Sequence, residues 1–154
     1  MTGADDVLRI TSPDDRPFRK APVRRIALIT LVVDDYDGAI RFYTGALGFR
    51  LAEDAPRPDG SRWVVVEPGD GAGTALLLAR ARTGPQRARV GDQTGGRVGF
   101  FLHTGDFARD HARMRAAGVT FLEEPRREPY GTVAVFEDLY GNRWDLLQPA
   151  PDAD

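Results

Sequence analysis

The chain carries few groups able to do chemistry near neutral pH: two histidines, His103 and His111, and no cysteine in 154 residues. His103 ends the apolar run Val98-Gly99-Phe100-Phe101-Leu102, where an imidazole can serve as a general base or anchor a hydrogen bond. The ordinary alternative is a strand-end histidine bonded to a neighbouring carbonyl. His111 sits inside an amphipathic segment and is given no role. Among the carboxylates, Asp145 stands in the run Arg143-Trp144-Asp145-Leu146-Leu147, while Glu67 and Glu137 each leave an apolar run at a turn. A solvated carboxylate is the usual outcome at such exits. No Ser, His and Asp lie at a nucleophilic spacing, and Gly69–Gly73 is a turn between two apolar runs, so no helix follows it to cradle a phosphate. The lack of cysteine excludes disulfides, thiolate catalysis and Cys-ligated zinc.

The elements that must position these groups occur twice. Residues 32–49 and 102–121 each run from an apolar strand into an Asp-aromatic pair (Asp35-Tyr36, Asp106-Phe107), an amphipathic segment, and a glycine (Gly48, Gly118) before a new strand. The aspartates lie 71 positions apart and the glycines 70, which marks a duplicated module rather than a solenoid. Asp35 and Asp106 are placed to cap helices. Ala39, Ile40, Phe42, Tyr43, Ala46 and Leu47 make the first apolar stripe; Phe107, His111, Ala112 and Met114 make the second. Strands are expected at 26–33, 49–53, 62–67 and 74–79, then at 98–103, 119–123, 132–136 and 143–148. Each half therefore reads β-α-β-β-β, and the fold class is α+β.

Residues 1–24 form a polar arm, disordered or strapped over the surface, ahead of one domain at 25–149. Within it, module 1 covers about 25–80 and module 2 about 98–149, with a basic, glycine-rich linker at 81–97 read as solvated, or else as a lid. Hydrophobic residues make up 42% of the chain, enough for a core, and 21 basic residues nearly balance 23 acidic ones. Such balance gives no field for nucleic acid or an anionic membrane. No apolar run reaches the length of a membrane span and no signal-peptide core is present, so a cytoplasmic protein is expected.

The segments Val33-Asp34-Asp35-Tyr36-Asp37, Phe42-Tyr43, Leu47-Gly48-Phe49 and Asp138-Leu139-Tyr140-Gly141-Asn142-Arg143-Trp144-Asp145 resemble the vicinal oxygen chelate superfamily. It groups glyoxalase I, extradiol dioxygenases, fosfomycin-resistance enzymes and bleomycin-resistance proteins, and the likeness spans about residues 25–149. The resemblance implies two tandem modules curled into a cup-shaped incomplete barrel. In catalytic members a divalent metal sits in the cup, held by His, Glu or Gln from two strand positions per module. It also implies a homodimer.

Carried onto this sequence, the implied ligand positions are Leu28, Gly99, one of Leu76, Leu77 or Leu78, and Asp145. Three of these offer no donor atom, and one carboxylate does not make a site. No metal and no other cofactor is therefore expected. Side chains at i and i+2 share a strand face. If Leu28 faces the cup, so do Thr30 and Val32; with Gly99 go Phe101 and His103; with Leu76 goes Leu78; with Asp145 go Arg143 and Leu147. The opposite parity (Ile29, Leu31, Val33, Val98, Phe100, Leu102, Trp144, Leu146) is expected to form the core. Trp63 and Trp144 read first as core, with Trp63 able to reach the cup rim, and Tyr130 is placed at its mouth. Apolar walls with a few polar groups suit a small molecule. The expected function is thus metal-free binding of a small apolar or aromatic compound, of the sequestration or resistance type. The alternative is a superfamily enzyme, a lyase, dioxygenase or isomerase, using a non-standard metal site (Asp145, His103, Glu67, Glu137) or His103 alone. A purely structural docking module finds no exposed apolar stripe to support it.

Overall fold

The computed structural model describes residues 24–151. The arm expected over 1–24 lies, up to residue 23, outside the described residues. Module 1 contains β1 (Leu28–Val33), α1 (Tyr36–Arg41), a π-helical turn (Phe42–Ala46), β2 (Arg50–Pro56), β3 (Arg62–Glu67) and β4 (Ala75–Arg80). A short helix α2 (Gly84–Arg87) lies in the linker. Module 2 contains β5 (Val98–His103), α3 (Phe107–Ala116), β6 (Thr120–Phe121), β7 (Arg126–Glu128), β8 (Gly131–Glu137) and β9 (Arg143–Pro149). The first sheet has the order β1-β4-β3-β2; the second has β5-β9-β8-β6, with β7 also on β8. Neither sheet closes on itself, and the fold is α+β with two tandem modules.

Both helices start where the sequence places them. The Asp35 carboxylate accepts from the Gly38 amide at 2.7 Å, and that of Asp106 from the Arg109 amide at 3.1 Å. Each satisfies one of the free donors of a first helical turn. Gly48 and Gly118 end the segments with φ of 72° and 91°, a region open to glycine at little cost. The first helix widens at Phe42 into a π turn, in which the Leu47 amide donates to the Phe42 carbonyl. This keeps Tyr36, Ala39 and Tyr43 buried on one side.

One core joins the modules: Leu31, Val33, Val64, Val66 and Leu78 from the first sheet meet Ala134, Phe136, Trp144 and Leu146 from the second. Tyr43 sits between them, its ring 5.9 Å from that of Trp144. Its buried hydroxyl donates to Asp138 Oδ2 at 2.6 Å. Asp138 also accepts from the amides of Tyr140 and Asn142 and from Asn142 Nδ2, so a buried carboxylate is fully supplied with donors. Burial, with the Asp138 charge adding to it, pushes the Tyr43 phenol well above its usual range.

Two expectations are corrected, and the linker gains an anchor. Module 2 has a fifth strand, β7, in the Arg-Arg-Glu segment 126–128, where no apolar alternation announces it. Arg126 holds it by donating to both Glu123 and Glu128. Ile29, expected in the core, is 43% exposed at the start of β1. The linker is exposed over most of its length, as read from the sequence, and is tied to β1 through Gln93. The Gln93 side chain accepts from the Val32 amide and donates to the Val32 carbonyl at 3.4 and 3.3 Å, doing for the β1 edge what a neighbouring strand would do.

Candidate functional site

Directly paired residues on neighbouring strands point to the same side of a sheet, so the register decides which side chains share a face. In the first sheet Leu31 pairs with Leu78 and Ile29 with Leu76, whereas Leu28, Thr30 and Val32 pair with Ala75, Leu77 and Ala79. Leu76 and Leu78 therefore lie on the helix side, in the core, not beside Leu28 as expected. The face turned away from the helices is built by Leu28, Thr30, Val32, Leu77 and Ala79. Val65 joins them because it pairs with Leu77, and Trp63 lies two residues along the same strand face.

Trp63 is thus a half-buried wall of this face rather than core. Its indole donates to Glu53 at 3.1 Å, and the Arg57 guanidinium lies 4.5 Å over the ring. A hollow of about 260 Å³ runs past Trp63, Leu77 and Ala79, with Arg57 and Arg82 also lining it. Glu67 closes the far end of β3. It is buried rather than solvated, because Arg50 on the paired strand folds over it as an ion pair.

In the second sheet Phe101 pairs with Asp145 and His103 with Leu147 across β5 and β9, and Val135 and Val133 flank the same pair on β8. A shift of register at Gly99 moves Val98, expected in the core, opposite Arg143. Phe101 is 63% exposed on this face, and Tyr130, just before β8, is 54% exposed. Arg143 is exposed and forms no ion pair with Asp145 among the described residues. His103 is exposed, and its side chain makes no hydrogen bond among the described residues. It also borders a cleft of about 490 Å³ on the helix side, floored by Leu102, Met114 and Leu146.

The pairing register chooses among the three leucines that the resemblance leaves open for one ligand position. Thr30 pairs with Leu77, and Phe101, 71 positions on, pairs with Asp145. The repeat partner of Asp145 is therefore Leu77, and the set is Leu28, Leu77, Gly99 and Asp145. Gly99 is held to glycine by packing: a Cβ there would stand 2.6 Å from the Thr94 methyl in the linker. Among the described residues no three His, Asp or Glu side chains gather closely enough to hold an ion. These residues do not fit a divalent metal. Glu67 and Glu137, the other carboxylates considered, stand on separate sheets.

Two buried side-chain atoms lack a partner among the described residues, Trp144 Nε1 and one carboxylate oxygen of Asp145. That oxygen is Oδ1, and the direct neighbours of Asp145 are Phe101 and Val135. Burial holds its carboxyl above the ordinary range, the Arg126 charge opposes this, and Glu123 adds to the rise. His111, assigned no role by sequence, lies between Phe107 and Phe121 with ring centroids at 5.4 and 4.4 Å. Sequence reasoning left Leu77 as one of three alternatives and missed Ala79 and Val65; the pairing register puts all three on this face.

Among described residues no helix is long and apolar enough to cross a membrane. An uncharacterized protein of Shewanella frigidimarina (strain NCIMB 400) is 54% identical over 124 residues, covering 80% of this chain and 92% of its own. The crystal structure of UcmS2 superposes with a TM-score of 0.71 at 31% identity, covering 82% of this chain and 98% of that one. That of TnmS3, an antibiotic binding protein from Streptomyces sp. CB03234, gives 0.67 at 32% identity, covering 85% and 100%. The model of the glyoxalase/bleomycin resistance protein/dioxygenase superfamily matches residues 25–146. With the duplicated module, the two open sheets and these likenesses together, the chain belongs to the glyoxalase/bleomycin resistance protein/dioxygenase superfamily.

Proposed function

We propose that this protein binds a small apolar or aromatic molecule without a metal, and sequesters or carries it rather than transforming it. The observation that carries the reading is the composition of the four matched positions: Leu28, Leu77 and Gly99 offer no donor, and Asp145 is alone. The faces around them are hydrocarbon and aromatic, which favours burial of apolar surface at about 25 cal/mol per Å² over polar chemistry. The likeness to TnmS3, described as antibiotic binding, supports a guest of that general kind. Among the described residues no carboxylate bonds to His103, so a metal-free catalytic role lacks its supporting group there.

The site needs a second copy. Leu28 on one open face and Phe101 on the other are 38% and 63% exposed, a state that pairing across a homodimer would relieve. The ligand-binding set proposed is Leu28, Thr30, Val32, Leu77, Trp63, Phe101, Tyr130 and Asp145, in a cytoplasmic dimer. The test is a thermal-shift screen of aromatic antibiotics beside elemental analysis and sedimentation. A guest at a hundred times its Kd stabilises by about 2.7 kcal/mol, a rise of roughly 5–10 °C for a chain this size. A dimer that gains such a shift, holds no stoichiometric metal and is indifferent to a chelator is the expected result. One transition metal per chain, or loss of binding with chelator, overturns it.

A further inference from the structure

We propose that the cleft on the helix side, between the two modules, is a binding site separate from the open faces, and that it takes a small organic carboxylate: an apolar body with one acid group. The cleft holds about 490 Å³, within the range of about 300–1,000 Å³ usual for small-molecule sites. Its floor is hydrocarbon, with Phe49, Met114 and Leu146 from the buried core and Leu102 beside them. Gly45, in the π-helical turn, lines one wall. No positive φ is recorded there, and a Cβ would meet nothing within 4 Å, so neither backbone nor packing calls for glycine. Glycine weakens a helical segment relative to alanine, and what this one provides is open space.

The charges lining the cleft all come from module 2, and they are unbalanced. Arg109 and Arg113 stand one turn apart on α3 beside the same opening, an arrangement that repels. His103 joins them from the end of β5. Asp110, the acidic residue of the lining, is already engaged: one oxygen accepts from the Thr104 hydroxyl, and the other lies 3.5 Å from Arg109 Nε. Nearby, Asp106 accepts from the Arg109 amide, and Glu67, next to Pro68 in the wall, is covered by Arg50. Arg113 is exposed and has no ion pair among the described residues. A carboxylate seated between Arg109 and Arg113 relieves their repulsion and takes forked, charge-assisted hydrogen bonds, while its apolar body covers the floor. An alcohol gains only the apolar contact and a weaker bond, and an ammonium group meets like charge.

The experiment uses the full-length protein labelled at its methionine methyls. The chain has two methionines, Met1 and Met114, and Met114 lies in the floor of the cleft. Its methyl resonance, assigned through Met114→Leu, therefore reports on the cleft itself. The protein is titrated with naphthaleneacetate and with naphthaleneethanol, which share an apolar body and differ in the acid group. The expected result is a saturable shift of the Met114 methyl, with the acid bound at least about tenfold more tightly than the alcohol, the worth of one charge-assisted bond. In the double variant Arg109→Gln, Arg113→Gln, changed only at exposed positions and checked by circular dichroism, acid and alcohol should bind within about twofold of each other. A Met114 methyl that the acid does not shift, equal affinities in the wild type, or a preference that survives in the double variant overturns the site. None of these outcomes touches the open-face reading, which the thermal shifts with antibiotics decide separately.

Discussion

Gly99→Ala tests why one of the four matched positions is empty of any donor. Its backbone does not require glycine, since no positive φ is recorded there. An alanine would ordinarily stabilise by about 0.4–1 kcal/mol through loss of unfolded-state freedom. Against this stands the contact: the new Cβ would lie 2.6 Å from Thr94 Cγ2, far inside van der Waals separation, with Thr94 Oγ1 and Cβ at 3.6 and 3.7 Å. Thr94 is exposed, and turning its methyl aside breaks the bond its hydroxyl donates to the Arg97 carbonyl at 2.5 Å. Overpacking of this sort costs about 1–3 kcal/mol, so the net expectation is a loss of about 1–2 kcal/mol. For a chain of this length that is a fall in Tm of roughly 3–6 °C.

Thr94→Ser removes the offending methyl and keeps the hydroxyl. In that background the clash disappears and only the entropic gain remains, so adding Gly99→Ala should raise Tm rather than lower it. Urea denaturation of the four proteins in the cycle gives the coupling, expected at about 1–3 kcal/mol. Additivity within about 0.5 kcal/mol refutes the packing argument. Position 99 would then have no steric reason to lack a side chain, and the claim that the linker forecloses a metal ligand there would fail with it.

Tyr43→Phe withdraws a donor from buried Asp138 and should cost about 1.5–3 kcal/mol, seen as a Tm fall of roughly 4–10 °C; a change under 1 °C would mean the modules are not tied there. His111 has its pKa lowered, first by burial and then by Arg115, with Glu124 opposing, so the fold prefers the neutral ring. Its stabilisation is complete above the unfolded value near 6.5 and is lost as pH falls through the folded one; His111→Gln should show a shallower decline of Tm with acid over that window. Asp145 has the opposite sign, its folded pKa raised, so its ionised form disfavours the fold once pH exceeds that value. Asp145→Asn should therefore melt higher than wild type at pH 7, with the gain shrinking as pH falls towards the unfolded value of 3.8; a gain constant with pH would assign the effect to packing instead.

Much of the frame was legible in the sequence because local chemistry dictates it. A carboxylate just ahead of an amphipathic segment caps a helix, and Asp35 and Asp106 both do. Alternation fixed the faces of β1 and β9, where Leu31, Val33, Trp144 and Leu146 are buried as expected. It failed on β4 for a physical reason. The run Ala75-Leu76-Leu77-Leu78-Ala79 has no polar phase, so only its pairing with β1 shows that Leu77 shares the face of Thr30. The β7 strand was invisible for the converse reason, being charged throughout and held by ion pairs. Glu67 looked solvated because its cover, Arg50, arrives through an antiparallel pairing 17 residues away. Gln93 gave no signal at all, since a side chain standing in for a strand leaves no period to read.

The divergence of the two halves bears directly on what the site can hold. At repeat-related places the first open face carries Thr30 and Leu77, the second Phe101 and Asp145. Equal halves would offer a guest the same contact twice, whereas these offer an aliphatic wall on one side and an aromatic wall with a carboxylate on the other. In the proposed pair of chains a two-fold axis brings unlike faces together twice, so each guest meets one of each. Apolar contact with the first face then supplies affinity that rises with buried area and discriminates little between guests.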